Sequence, residues 1–303
     1  MTFGIVGNVQ KKELPRVVKE LLVRAPQDSA RFFVSAPVAR ASSSLGRGVL
    51  TRARVVSDKK ILEDSDLLIA LGGDGTILET ARMVGGRGTP ILGINLGKLG
   101  FLAEVSLDEV EACLQEILEG RYRVEERMML QARAASMKKP FVALNDIVVD
   151  KYGTSRVMSI ETMVNNEYLA TYSADGIIVS TPTGSTAYAL ANGGPIVTPE
   201  NHAVTISPIC PHTLTARPVI VPDDSVIAIS IPHGAKQVHL TADGQLEQLF
   251  RPPVTIQIRK APFKAKLVKR LHVSYYDVLR KKLHWGSDVR VEAKRRERGR
   301  RGG

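Results

Sequence analysis

Five residues, Gly72-Gly73-Asp74-Gly75-Thr76, end the hydrophobic run LLIAL and open the amphipathic run TILETARMV. Paired glycines let backbone N–H groups come close to a phosphate, and the first turn of a following helix adds a positive end. Phosphate loops more often recruit lysine, because a carboxylate beside a phosphate is repelled. Here the loop is built around an aspartate instead. The same letters also fit a tight turn whose Asp74 caps the helix, and composition alone leaves both readings open. Two common nucleotide loops are excluded, since neither G-x-x-x-x-G-K-[ST] nor G-x-G-x-x-G occurs here.

Two further stretches carry polar chemistry. ADGIIVSTPTGSTAYALANGGPIV, residues 174–197, pairs an Asp-Gly after a strand with a Thr/Ser/Gly loop that opens a helix. Such a loop offers hydroxyl and backbone donors to an anionic or ribose-bearing ligand. TGSTA is not the G-x-S-x-G elbow, so a serine nucleophile is not indicated. In LNDIVV, Asn145 and Asp146 interrupt a hydrophobic strand, which places at least one of them inward; a β-bulge accounts for the pattern equally well. The six histidines are scattered and form no H-E-x-x-H, so no metal site is expected.

These residues need elements to hold them. Over residues 1–120, strand-like runs (TFGIVGN, RFFVS, ARVV, DLLIALGG, PILGIN) alternate with helical ones, which predicts an α/β domain with a parallel sheet. SLDEVEACLQEILEG puts Leu107, Val110, Leu114 and Ile117 on one face, with Ser106 as N-cap and Gly120 as the stop. Residues 121–250 are β-rich with turn signals and predict an all-β, sandwich-like domain interrupted by one helix, STAYALANGG. Residues 251–289 hold strands at VTIQIRK and AKLVKR and a helix at SYYDVLRKKLHW, and are expected to return to the first domain. Residues 290–303, basic and poor in apolar residues, predict a disordered tail.

A length of 303 residues exceeds what one core usually serves, in line with two domains. The net charge of +11 is local: residues 251–303 carry 17 Lys and Arg against 4 Asp and Glu. The rest is slightly acidic, so specific nucleic-acid binding is not expected. No apolar run reaches membrane-spanning length, and MTFGIVGNVQ lacks the features of a secretory leader. Two cysteines without metal-ligand spacing are read as reduced, which makes the cytoplasm the expected compartment.

GGDGT, GINLGKLGFL, LNDIVV, ADGIIVSTPTGSTAYALANGGPIV, PICPHTL, the later ADGQ and YYDVLRKKL together resemble the NAD kinase family, over roughly residues 66–285. GGDGT alone is shared with diacylglycerol kinases, sphingosine kinases and phosphofructokinase-like enzymes; TPTGSTAY with NGGP is far more specific. The resemblance implies phosphoryl transfer from ATP, or from inorganic polyphosphate, to the 2′-hydroxyl of the adenosine ribose of NAD. It further implies Mg²⁺ or another divalent cation, a homodimer or homotetramer, and a site between the two domains. Asp74 becomes the proton acceptor, with Gly72, Gly73, Gly75 and Thr76 forming the loop beside the nucleotides. Asn145, Asp146, Asp175, Thr186, Ala187, Tyr188, Ala189, Leu190, Ala191 and Gln245 become NAD contacts. Arg156 stands at a position that often carries a polar contact, and Ser173 where relatives often carry a basic residue. Two alternatives share parts of the pattern: a lipid kinase built on the same GGDGT loop, and a non-catalytic NAD(P)-sensing protein.

Overall fold

The structure is a computed structural model that describes residues 1–25, 29–45, 47–97, 100–103, 105–153, 156–232 and 236–285. The expected tail at 290–303 lies outside the described residues. In chain order the elements are β1 (Thr2–Gly7), α1 (Leu14–Arg24), β2 (Arg31–Ser35), α2 (Ala36–Ala41), α3 (Arg47–Leu50), β3 (Ala53–Val56), α4 (Asp58–Asp64), β4 (Leu67–Gly72), α5 (Asp74–Val84), β5 (Ile91–Asn95) and α6 (Val110–Leu118). The second half contributes β6 (Tyr122–Arg133), β7 (Phe141–Ala143), β8 (Asp146–Lys151), β9 (Met158–Val164), β10 (Glu167–Ala174), β11 (Gly176–Ser180), α7 (Tyr188–Ala191), β12 (Ala203–Ile209) and β13 (Val219–Pro222). It closes with β14 (Ile227–Ile231), β15 (Val238–Ala242), β16 (Leu246–Phe250), β17 (Val254–Arg270) and α8 (Tyr275–Leu283).

Strands β3-β2-β1-β4-β5 run parallel in that order. β4 reads LLIALG and all six residues are buried, as befits a central strand covered on both faces. Helix α1 lays Leu14, Val17, Val18, Leu21 and Leu22 on one face of this sheet, beside Val110, Leu114 and Ile117 of α6. Helix α5 covers the other face with Ile77, Leu78, Ala81 and Val84. Strand order reverses between β1 and β4, and the Gly-Gly-Asp-Gly-Thr turn leaves β4 at that switch point, where α/β sheets bind ligands.

The second half is an antiparallel sandwich, one layer of which is the sheet β13-β12-β11-β8-β15-β16. The other layer holds β10, β9, β14, β6 and the first half of β17. Their inner faces meet in one core that includes Ile147, Val149, Ile177, Ile229, Leu240 and Ile256. The hairpin from β9 to β10 turns on Asn165 and Asn166, both at positive φ (51° and 66°). Asparagine tolerates that conformation, and the turn matches strand twist.

Two expectations need correction. VTIQIRK and AKLVKR are not separate strands: β17 is one strand of 17 residues, with a register shift between Lys260 and Lys264. Its second half pairs in parallel with β5 through Leu267 and Ile91, so the chain returns to the first sheet and the sandwich layer continues into it. The STAYALANGG helix is only a 3₁₀ turn at Thr183–Thr186 followed by four residues of α7. The short helices α2, α3 and α4 lacked a long enough apolar period to be read from sequence.

Candidate active site

Asp74 occupies the first position of α5, after the N-cap residue Gly73. Its carboxylate does not cap its own helix. Oδ2 accepts the N–H of Phe101 at 2.8 Å, and Oδ1 accepts those of Leu102 and Ala103, each at 3.0 Å. Gly72 is required by space, since a β-carbon there would sit 2.0 Å from Thr76 Oγ1. At Gly73 a β-carbon would meet nothing within 4 Å: this glycine faces open room. A cleft of about 600 Å³ opens on that side, lined by Gly73, Gly75, Thr76, Asn8, Lys11 and Gln245 among others.

A second hollow of about 310 Å³ lies on the sandwich, bordered by Asn145, Asp146, Ala187, Tyr188, Thr241 and Gly244 among others. Asn145 is half-buried and Asp146 buried at the start of β8. The loop of residues 181–186 is folded tightly against them. Thr181 Oγ1 donates to the Leu144 carbonyl at 2.6 Å and accepts the Gly184 N–H at 3.0 Å. A β-carbon on Gly184 would fall 2.1 Å from the Asn145 carbonyl oxygen, so the TPTGS sequence is needed for close approach as much as for its hydroxyls.

Asp243 joins the two halves. Its side chain is fully buried and its φ is +53°. The carboxylate accepts N–H groups from Leu144, Asn145 and Asp146 at 3.1, 2.8 and 3.3 Å. Arg82 of α5 donates to it as well, at 2.9 Å. Arg82 also donates to Gln245 Oε1. Gln245 Nε2 in turn donates to the Gly75 carbonyl at 2.8 Å. The GGDGT helix and the Asn145–Asp146 strand are therefore held in register by one buried acid, one arginine and one glutamine. Burial and, second, the negative charge of Asp243 push the Asp146 carboxyl up to about 7. Burial also raises the Asp243 carboxyl, while its backbone N–H donors and Arg82 oppose that rise.

Asp243 and Arg82 were absent from the residues singled out by sequence. The signal was faint: TADGQ repeats the Ala-Asp-Gly of residues 174–176, and a left-handed Asp before Gly is a turn that can bury its carboxylate. Of the predicted residues, Gly73, Gly75, Thr76 and Gln245 line the cleft, and Asn145, Asp146, Ala187 and Tyr188 border the hollow. Asp175 lies 2.6 Å from Lys151 Nζ. Burial, then the charges of Asp150, Cys210, Asp146 and Asp175, raise the Tyr188 phenol, and Asp146 and Asp150 border the same hollow. Thr186 is half-buried and donates to the Thr183 carbonyl at 3.3 Å. Ala189 packs its methyl against Val148, Ile178 and Ile209, which leaves its side chain in the core. Leu190 is half-buried and Ala191 exposed. Ser173, on β10, and Arg156, between β8 and β9, are exposed and line neither cavity. Among the described residues no group of three His, Cys, Asp or Glu converges to hold a metal.

A parallel sheet that ends in a Gly-Gly-Asp-Gly-Thr turn is joined here to an antiparallel sandwich with a hollow of its own. Models of the ATP-NAD kinase N-terminal and C-terminal domains match residues 3–122 and 144–270. The chain belongs to the ATP-NAD kinase family. It is 40% identical over 285 residues to an NAD kinase of Moorella thermoacetica, covering 93% of this chain and 89% of that one. It is 45% identical over 234 residues to an NAD kinase of Geobacter metallireducens, covering 76% and 83% respectively. Among solved structures it is similar to yeast NADH kinase complexed with NADH, with a TM-score of 0.86, 27% identity and 95% and 89% of the two chains covered. An NAD kinase from Archaeoglobus fulgidus shares the fold at 24% identity, with a TM-score of 0.69 and 89% and 94% covered.

Proposed function

We propose that the protein transfers the γ-phosphoryl group of ATP to the 2′-hydroxyl of the adenosine ribose of NAD, giving NADP and ADP. One observation carries the site-level reading. The loop that holds Asp74 is bonded through Gln245 to the turn that borders the polar hollow. A phosphate in the cleft and a hydroxyl from a ligand in the hollow would then meet at the same loop.

In this reading residues 1–120 serve the donor, residues 121–250 the acceptor, and residues 251–289 tie the two together. Gly73 and Gly75 give the donor phosphates room and close backbone approach, while Gly72 and Thr76, packed on each other, shape the turn. Asn145 and Asp146 bind the NAD. With its carboxyl raised to about 7, Asp146 is partly protonated near neutrality and can donate as well as accept. Thr186 to Ala191 carry further NAD contacts, with Ala187 and Tyr188 at the rim of the hollow and Ala189 offering only its backbone. Asp175, Ser173 and Arg156 lie outward, toward the nicotinamide half. The acids around Tyr188 suit a cationic nicotinamide ring, and the uncharged Ser173 lets NADH enter too. The yeast relative holds NADH.

The divalent cation fits as part of the donor. No protein cage of three ligands forms among the described residues, and Mg²⁺ is commonly held by substrate phosphates with one or two carboxylates. Asp58 and Glu79 line the cleft and are the acids available to it. Bound to ATP, the cation offsets the repulsion between the phosphates and Asp74. The chain's own contribution is to orient the hydroxyl, place it in line with the phosphorus and take its proton on Asp74. A homodimer or homotetramer in the cytoplasm is the expected setting; among the described residues no helix is long and apolar enough to cross a membrane. An acceptor competition tests the proposal. With ATP and Mg²⁺, NAD should be converted to NADP in the presence of a sphingoid base and diacylglycerol, both left unphosphorylated. Phosphorylation of either lipid in preference to NAD would overturn it.

A further inference from the structure

We infer that the turn Gly100–Ala103 is a positioning cradle for Asp74, that it leaves Oδ2 as the one proton-accepting atom, and that Gly100 is the residue that keeps the cradle open. The inference rests on the proposed role of Asp74 as proton acceptor. The Gly100 N–H donates to the Ala103 carbonyl at 3.2 Å and closes a tight turn. Within it the N–H groups of Phe101, Leu102 and Ala103 all converge on the Asp74 carboxylate. Successive backbone N–H groups turned inward form an anion-binding nest. Here the occupant is a side chain of the protein itself.

An ionised carboxylate offers about four lone-pair sites, two on each oxygen. Oδ1 already receives two N–H groups and Oδ2 one, so a single site remains, on Oδ2. A substrate hydroxyl can be oriented only there. In the transfer the hydroxyl O–H bond breaks as its oxygen bonds to the γ-phosphorus. The proton passes to Oδ2, and the bond from the γ-phosphorus to the ADP oxygen breaks, its electron pair leaving with ADP. The cradle fixes the carboxylate before substrate arrives, so orienting it adds no cost at the moment of reaction.

Gly100 follows from space. A β-carbon there would lie 1.9 Å from Oδ1, 2.6 Å from Cγ and 3.0 Å from Oδ2 of Asp74, and these are its nearest atoms. Any larger residue therefore displaces the carboxylate itself. From outside, Lys282 of α8 sits 5.6 Å from the centre of the Phe101 ring, so the cradle is also buttressed by the C-terminal helix.

A double-mutant cycle of Gly100→Ala and Asp74→Ala tests this, read by kcat, KM and melting temperature. Gly100→Ala should lower kcat by about 10²-fold, the effect of a misplaced reacting group. Its KM for NAD should stay within about threefold, since the hollow is untouched. The double variant should turn over no more slowly than Asp74→Ala alone. The melting-temperature penalty of Gly100→Ala should also shrink in the Asp74→Ala background, where the β-carbon finds space. Wild-type kcat in Gly100→Ala, or losses that multiply in the double variant, would overturn the inference. Should Gly100→Ala fail to fold, a folded double variant supports the clash with Asp74 and an unfolded one refutes it. Near wild-type turnover in Asp74→Ala would instead overturn the proton-acceptor reading and the Oδ2 assignment with it, while the stability coupling still judges the cradle.

Discussion

At the scale of single residues, the site depends on three carboxylates with different surroundings. Asp74 is half-buried and satisfied by three backbone N–H groups. Asp243 is buried, with three backbone donors and an arginine. Asp146 is buried beside Asp243 and has no charge of opposite sign among the causes acting on it. A carboxyl raised from 3.8 to about 7 favours its protonated form in the folded state. Its contribution to stability is then fully present below pH 3.8 and is lost as pH rises toward 7. Asp146→Asn mimics the protonated form and removes that loss. The melting temperature of Asp146→Asn minus that of the wild type should therefore grow more positive between pH 5 and pH 8, in the absence of nucleotide. A difference that stays flat across that range would show that Asp146 is ionised throughout. GGDGT and LNDIVV both pointed to these positions by type. The partners that set their behaviour, Asp243 and the amides of 101–103, were not legible, because a backbone N–H carries no letter and Asp243 is a tertiary neighbour.

At the scale of elements, α5 and the β15–β16 turn act as a coupled pair through Arg82, Asp243 and Gln245. Breaking a buried ion pair from one side typically costs about 3–5 kcal/mol, because the remaining charge stays desolvated. Asp243→Asn keeps the shape but leaves Arg82, whose side chain is 12% exposed, without its counter-ion. It should lower unfolding free energy by about 2 kcal/mol or more, measured by urea denaturation, and raise the KM for NAD as the Asn145–Asp146 strand loosens. Unchanged values of both would mean that the pair does not hold the site. The helix α8 is the second such element. A Ser274–Asp277 capping box starts it, and Val278 and Leu279 are buried under it. Tyr276 of the same helix is 57% exposed. Burying two aliphatic side chains is worth about 3–6 kcal/mol before the entropy of ordering is deducted. Deletion of residues 274–303 should therefore lower the melting temperature by about 5 °C or more. Deletion of 290–303, with few apolar residues to bury, should leave it nearly unchanged. Equal melting temperatures for the two truncations would refute the docking of α8. The helix itself was legible from the spacing of its apolar residues. The fusion of two short strands into β17 was not, because the register shift that joins them breaks the alternation a strand is recognised by.

At the scale of the whole molecule, the proposed function brings together two cavities that belong to different layers. The parallel sheet brings the Gly-Gly-Asp-Gly-Thr turn to its switch point, the six-stranded layer of the sandwich carries the hollow, and the long β17 joins the parallel sheet to the other sandwich layer. Sequence alternation was enough to read the α/β half, and turn signals the β half, because each depends on local periodicity. Which residues of TPTGSTAYALA face a ligand was beyond that reading. Ala189 lies in the core and Tyr188 at the rim, on neighbouring positions of the four-residue helix α7. The central claim is that Asp74 takes the proton of the NAD 2′-hydroxyl. Its most direct measurement is the rate of NADP formation from saturating NAD and Mg–ATP by the wild type and by Asp74→Asn. Loss of a general base usually costs about 10²–10⁴ in rate. Wild-type enzyme should form one ADP per NADP, and Asp74→Asn should bind NAD with little change while its turnover falls within that range. NADP formation by Asp74→Asn at near the wild-type rate would contradict the account.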